Sequence, residues 1–63
     1  MKVLIKYDDS WLKDIYNNVM LDPYIWTEVR DNAMAFESNS YDFSDLVCEL
    51  FDADYNPLTI ERA

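Results

Sequence analysis

The chain has 63 residues and not one of them is glycine. Glycine reaches left-handed backbone angles without steric cost, so its absence constrains every tight turn and every close backbone approach. A P-loop and a G-x-G-x-x-G dinucleotide turn are excluded, because both depend on that freedom. Tight hairpins also favour φ > 0, and in this chain the residue placed to supply it is Asn32.

Two further absences narrow the chemistry. There is no histidine, hence no side chain that ordinarily titrates near neutrality and none of the commonest metal ligand. A single cysteine, Cys48, rules out an internal disulfide as compensation for small size. The length predicts one domain over 1–63. Such a domain buries only roughly 60% of its unfolded surface. An aromatic fraction of 16% offsets this and, with 51% apolar residues, argues for a folded chain.

Along the sequence, Val3, Ile5 and Tyr7 alternate with Lys2, Leu4 and Lys6, which predicts a strand; Leu4 implies partial cover on the second face. Asp8, Asp9 and Ser10 offer N-cap oxygens. Trp11, Leu12, Ile15, Tyr16, Val19 and Met20 follow at helical spacing and predict a helix ending near Leu21. Tyr24 to Val29 is aromatic and β-branched, which predicts a strand that turns at Arg30-Asp31-Asn32 and returns over Ala33 to Glu37. Asp22-Pro23 is also a sound helix start, so a helix there is the alternative. After Ser38-Asn39-Ser40, the spacing of Phe43, Leu46, Val47, Leu50 and Phe51 predicts the clearest amphipathic helix. Asn56-Pro57 ends it, and Leu58-Thr59-Ile60 reads as a last strand. The expected fold is α+β: a compact βαββαβ, ferredoxin-like split βαβ, with two helices on a small antiparallel sheet. The alternative is three helices on a two-stranded sheet.

Thirteen acidic residues against five basic ones give a net charge of −8. Residues 1–30 hold four basic and five acidic residues, whereas residues 31–63 hold eight acidic residues and only Arg62 as a base. Asp42, Asp45, Glu49 and Asp52 recur at i, i+3, i+7 and i+10, a row about 15 Å long on the side away from the apolar stripe. Like charges at this spacing repel by tenths of a kcal/mol per pair, and a helix face built only for solubility interleaves lysine. The row therefore predicts a surface for a basic partner. Spaced carboxylates imitate nucleic-acid phosphates, about one per 1.7 Å of duplex axis. The expected contact residues are Asp42, Asp45, Glu49, Asp52 and Asp54, with Asp31 and Glu37 as outer members. Tyr41 and Tyr55 flank the helix and are the aromatic anchor candidates.

Other constellations fail on inspection. Asp52-Ala53-Asp54-Tyr55-Asn56 opens like an EF-hand loop, but Pro57 stands where glycine is needed and Ala63 where the bidentate glutamate belongs. Close carboxylate pairs arise by chance among thirteen acids, and so short a chain encloses a reaction pocket with difficulty. Cys48 sits at the edge of the apolar stripe among acids that disfavour a thiolate, so it is expected to be structural and at least half-buried. No enzyme activity, cofactor or metal is expected.

The anionic balance predicts repulsion from nucleic acid and from anionic membranes, and no apolar run approaches bilayer length. A free thiol and no export signal predict the cytoplasm. This profile of small size and acidity, without glycine or histidine, resembles the class of small inhibitors encoded by phages and mobile elements. The resemblance implies a host cytoplasm and a basic nucleic-acid-handling partner: a nuclease, a restriction or CRISPR effector, a repair enzyme or a polymerase. The second expectation is a regulatory or assembly subunit that binds by aromatic and apolar surface, for example as a homodimer.

Overall fold

The computed structural model describes residues 1–16 and 23–63. Its elements are β1 (Lys2–Tyr7), β2 (Ser10–Ile15), β3 (Tyr24–Thr27), a 3₁₀ turn (Arg30–Asn32), β4 (Phe36–Glu37), α1 (Tyr41–Asp52) and β5 (Leu58–Arg62). The α+β class holds. The βαββαβ order and the three-helix alternative do not, since the described residues contain one α-helix beside a five-stranded antiparallel sheet.

The predicted first helix is the main departure. Ser10–Ile15 is a strand that pairs with β1 at Lys6↔Trp11 and Tyr7↔Ser10, closing a two-residue hairpin at Asp8-Asp9. Asp8 takes φ 57°, the left-handed value such turns want, so the run read as an N-cap is a turn. The helical spacing of Leu12 and Ile15 has its own cause. The β2–β3 register shifts by one residue between Leu12 and Asp14, a bulge that brings side chains three apart onto one face. Leu12 is fully buried and Ile15 packs beside it, while Trp11 points to the other face. The second half of the predicted helix lies in 17–22, outside the described residues.

Tyr24–Thr27 is the strand expected, but its partner is β2 rather than the segment 33–37. The short β4 pairs instead with the start of β1, at Lys2↔Glu37 and Val3↔Phe36. It thereby fills the side of β1 that β2 leaves open, and Met34 N–H donates to the Leu12 carbonyl at 2.9 Å to close the seam. Asn32, expected to supply the positive φ of a hairpin, lies in the 3₁₀ turn; positive φ falls on Asp8 and Asp54.

β5 lies along the other side of β1 from Val3↔Arg62 to Tyr7↔Leu58. α1 covers the face carrying Ile5 and Leu12, against which Leu46 and Leu50 are buried one helical turn apart. Ser40 caps α1, its hydroxyl accepting from Phe43 N–H at 3.2 Å. The far end closes as a Schellman motif, with Asp54 N–H on the Phe51 carbonyl and Tyr55 N–H on that of Leu50. Asp54 holds the left-handed position, φ 67°, that glycine usually takes. The D-x-D-x-N run thus serves as a helix exit, which then passes through a cis Asn56–Pro57 bond.

Candidate functional site: the acidic outer face of α1

The inner face of α1 is set by Leu46 and Leu50, with Phe43 and Val47 packed beside them. Helical geometry then turns Asp42, Asp45, Glu49 and Asp52 outward, and all four are exposed. Among the described residues, none of them and not Asp54 has a basic group within 4.0 Å. Asp42 in the first turn suits the helix dipole, but Glu49 and Asp52 lie toward the negative end, where the last turn carries no base.

Beside this row runs a second exposed stripe. Tyr41, Ser44, Cys48 and Phe51 share the spacing i, i+3, i+7 and i+10 and lie next to the acids around the helix. Tyr41 is 89% exposed and Phe51 49%. Two expectations change here. Phe51 leaves the core stripe for the surface, and Cys48 is an exposed free thiol rather than a half-buried one. Both follow from the helix's rotation: the sheet receives the arc centred on Leu46 and Leu50, and Cys48 and Phe51 fall beyond its rim.

The outer members are placed elsewhere. Glu37 lies at the start of the sheet, 3.1 Å from the Met1 amino group and 3.2 Å from Lys2 Nζ. Hydrogen bonds from that amino group, then from Lys2, hold its carboxyl below the ordinary value of 4.5. Asp31 lies in the 3₁₀ turn between β3 and β4, off α1, so it does not extend the row. Tyr55 is half-buried and turned toward the sheet, its ring meeting Tyr7, Tyr24 and Trp26.

The opposite sheet face carries an acid that the sequence pattern did not single out. Glu61 stands across from Leu4 and accepts from Trp11 Nε1 at 2.9 Å and from Arg30 Nε at 3.2 Å, with Lys6 Nζ at 3.9 Å. Arg30 also donates to the Arg62 carbonyl, and Lys6 sits 5.1 Å from the centre of the Trp11 ring. The Trp11 hydrogen bond, then Arg30 and Lys6, lowers the Glu61 carboxyl below its ordinary value, while partial burial works against them. This network covers the face on which Leu4 is buried, the partial cover that Leu4 implied. It is a structural assembly: Trp11, Lys6 and Arg30 all converge on the one carboxylate.

A third locus is an aromatic cleft at the C-terminal end of α1, of about 260 Å³, lined by Tyr7, Asp8, Ser10, Trp26 and Tyr55. The cleft as a whole has no signature in the sequence, because Asp8-Asp9-Ser10 has the pattern of a helix start. The alternation that puts Tyr7 with Val3 and Ile5 was the available signal. The described residues hold no cluster of three or more metal-ligating side chains. None of their helices is long and apolar enough to cross a membrane. No family model, curated protein or solved structure matches the chain.

Proposed function

We propose that the protein is a small acidic inhibitor that docks the outer face of α1 on the basic groove of a nucleic-acid-handling protein, in place of the nucleic acid. One observation carries this reading: four exposed carboxylates on a 12-residue helix, without a basic partner among the described residues. The arrangement weakens the helix slightly, and a face that opposes folding is explained by what it binds. Asp42, Asp45, Glu49 and Asp52 follow the groove, Asp54 extends the row past the helix end, and Tyr41 supplies an aromatic contact beside it. Asp31 and Glu37 contribute only to the general field. The mimicry works by competition and needs no cofactor; its setting is the cytoplasm of a phage host.

The test is displacement of labelled duplex from a panel of nucleases, repair enzymes and polymerases. At least one member is expected to release its duplex, with inhibition falling steeply between about 50 and about 300 mM salt. Reversal of Asp45 and Glu49 to lysine removes it. Inhibition indifferent to both salt and reversal overturns the reading, as does no displacement anywhere in the panel.

A second reading, a regulatory or assembly subunit that forms a homodimer, draws on the exposed stripe of Tyr41 and Phe51 beside the acids. Trp26 and Phe36 pack against the core and do not supply such a surface. Sedimentation equilibrium separates the readings: a tight dimer that Phe51→Ser dissociates supports the second, and a monomer at tens of micromolar the first.

A further inference from the structure

We infer that the cleft between Tyr7, Trp26 and Tyr55 is a binding site for an organic cation head group, an N-methylated ammonium or its equivalent. The inference stands independently of the acidic row. Three elements build the site. Tyr7 ends β1 on the helix side of the sheet, Trp26 reaches the same side from β3 opposite Leu12, and Tyr55 is delivered by the Schellman exit of α1. The ring centres form a near-equilateral triangle, 5.7 Å from Tyr7 to Trp26, 5.1 Å from Tyr7 to Tyr55 and 5.3 Å from Trp26 to Tyr55. The Tyr7 and Tyr55 planes stand at 89° and Trp26 is tilted 50° and 39° to them, so a cation at the mouth lies within about 6 Å of the three ring centres and is attracted by those whose faces it meets.

The surroundings select the sign of the ligand. Asp8 lies at the lip, held by its left-handed turn, and no lysine or arginine lines the cleft. The negative end of the α1 dipole arrives at Tyr55. An anion is repelled by every one of these features. A neutral apolar group gains the ring contacts but leaves Asp8 and the dipole unused.

The size selects the form. At about 260 Å³ and open to solvent, the cleft is smaller than the roughly 300–1,000 Å³ of pockets that enclose a whole ligand. It fits a head group on a stem that stays outside. Methylated ammonium is weakly hydrated and surrenders little on entering an aromatic cleft, which favours it over a bare ammonium. The same head group reaches the site from a free metabolite-sized cation or from a methylated lysine of a protein.

The experiment is a ¹H–¹⁵N shift titration of the intact protein with tetramethylammonium, with 3,3-dimethylbutanol as the uncharged counterpart of similar shape. Tetramethylammonium is expected to shift Tyr7, Asp8, Ser10, Tyr55 and the Trp26 indole N–H, with the alcohol at least about tenfold weaker. Asp8→Asn keeps a residue that tolerates left-handed angles and should weaken the cation about threefold while leaving the alcohol unchanged. Asp31→Asn, away from the cleft, should change neither. Equal binding of cation and alcohol overturns the inference. So do shifts spread along the α1 acids, or none at the cleft. N-acetyl-trimethyllysine methylamide forms the second arm: tighter binding than tetramethylammonium assigns the site to a protein side chain, equal binding to a free cation. Failure here leaves displacement by the acidic row untouched.

Discussion

The two faces of the sheet treat carboxylates in opposite ways. On the open face Glu61 gathers Trp11, Lys6 and Arg30 around one side chain, and at the sheet's start Glu37 takes Lys2 and the amino terminus. On the helix face four acids stand in a row without a basic partner among the described residues. Glu37 and Glu61 thus engage three of the five basic residues in the chain. All three come from the first thirty residues and both acids from the rest, so these pairs tie the halves of the sequence together. Acids that serve the fold are paired, and the acids of α1 are left to the surface. The division of charge along the sequence is therefore only partly a division in space.

The sharpest way to break this comparison is to remove what holds α1 in place. Leu50 is fully buried against Ile5 and Leu12. Leu50→Ala should cost about 2–5 kcal/mol, in a domain whose whole stability is on the order of 3–9 kcal/mol. Urea denaturation is expected to show a much lower midpoint, with roughly half of the folding free energy gone. If the loss is below about 1 kcal/mol, the helix face is not anchored by apolar burial and the outward direction of its acids loses its basis.

Glu61 comes next. Glu61→Ala strands the Trp11 indole N–H and two cations, so the melting temperature should fall by less than in Leu50→Ala but more than for any one acid on α1. Glu61→Gln, still able to accept from Trp11, should fall between. The pH dependence sharpens the contrast. A carboxyl lowered by folding contributes stability above its ordinary value of 4.5, and that contribution is lost as pH falls through the folded value. The gap between wild type and Glu61→Gln should therefore be widest near neutrality and narrow as pH falls below 4.5. A gap that stays constant with pH would show that the ion pairs add nothing to the hydrogen bond from Trp11.

How much of this was legible in the sequence depends on how local the determining interaction is. Strand β1, helix α1 and strand β5 follow from alternation and periodicity within each segment, and the row on α1 follows from the same periodicity. The region from Asp8 to Ile15 was not legible, because two local signals imitate a helix there. An aspartate pair that turns a hairpin looks like an N-cap, and a bulge at Lys13 gives a strand helical spacing. The strand partners of β3 and β4 depend on β1 and β2, so the error propagated to them. The Glu61 network and the aromatic cleft join residues about twenty to fifty-five positions apart; no window of sequence contains them.

Asp54 belongs to both sides of the comparison, since it carries a charge of the acidic surface and a backbone angle the fold demands. Asp54→Gly removes both the charge and the left-handed penalty and should stabilise by about 1 kcal/mol. Asp54→Asn removes the charge alone and should gain only tenths. Asp54→Ala should lose stability, since a Cβ at φ 67° lacks even the local hydrogen bonding that aspartate offers. Equal gains for glycine and asparagine would mean that charge dominates at the helix exit and the backbone angle is unstrained.

The smallest expected effect is the most informative about the row itself. Glu49 has Asp45 and Asp52 within one turn on its own face and lies toward the negative end of the dipole. Glu49→Gln should therefore raise stability by a few tenths of a kcal/mol, and Glu49→Lys by somewhat more, since it turns two repulsions into attractions. Both gains are Coulombic between exposed groups and should shrink as salt rises from about 20 to about 500 mM, where the Debye length falls to a few Å. Parallel melts of the two variants at both salt concentrations measure this. A destabilised Glu49→Lys at low salt would mean that the row holds a stabilising interaction of its own. The spacing would then need no partner to explain it, even with every carboxylate still facing outward.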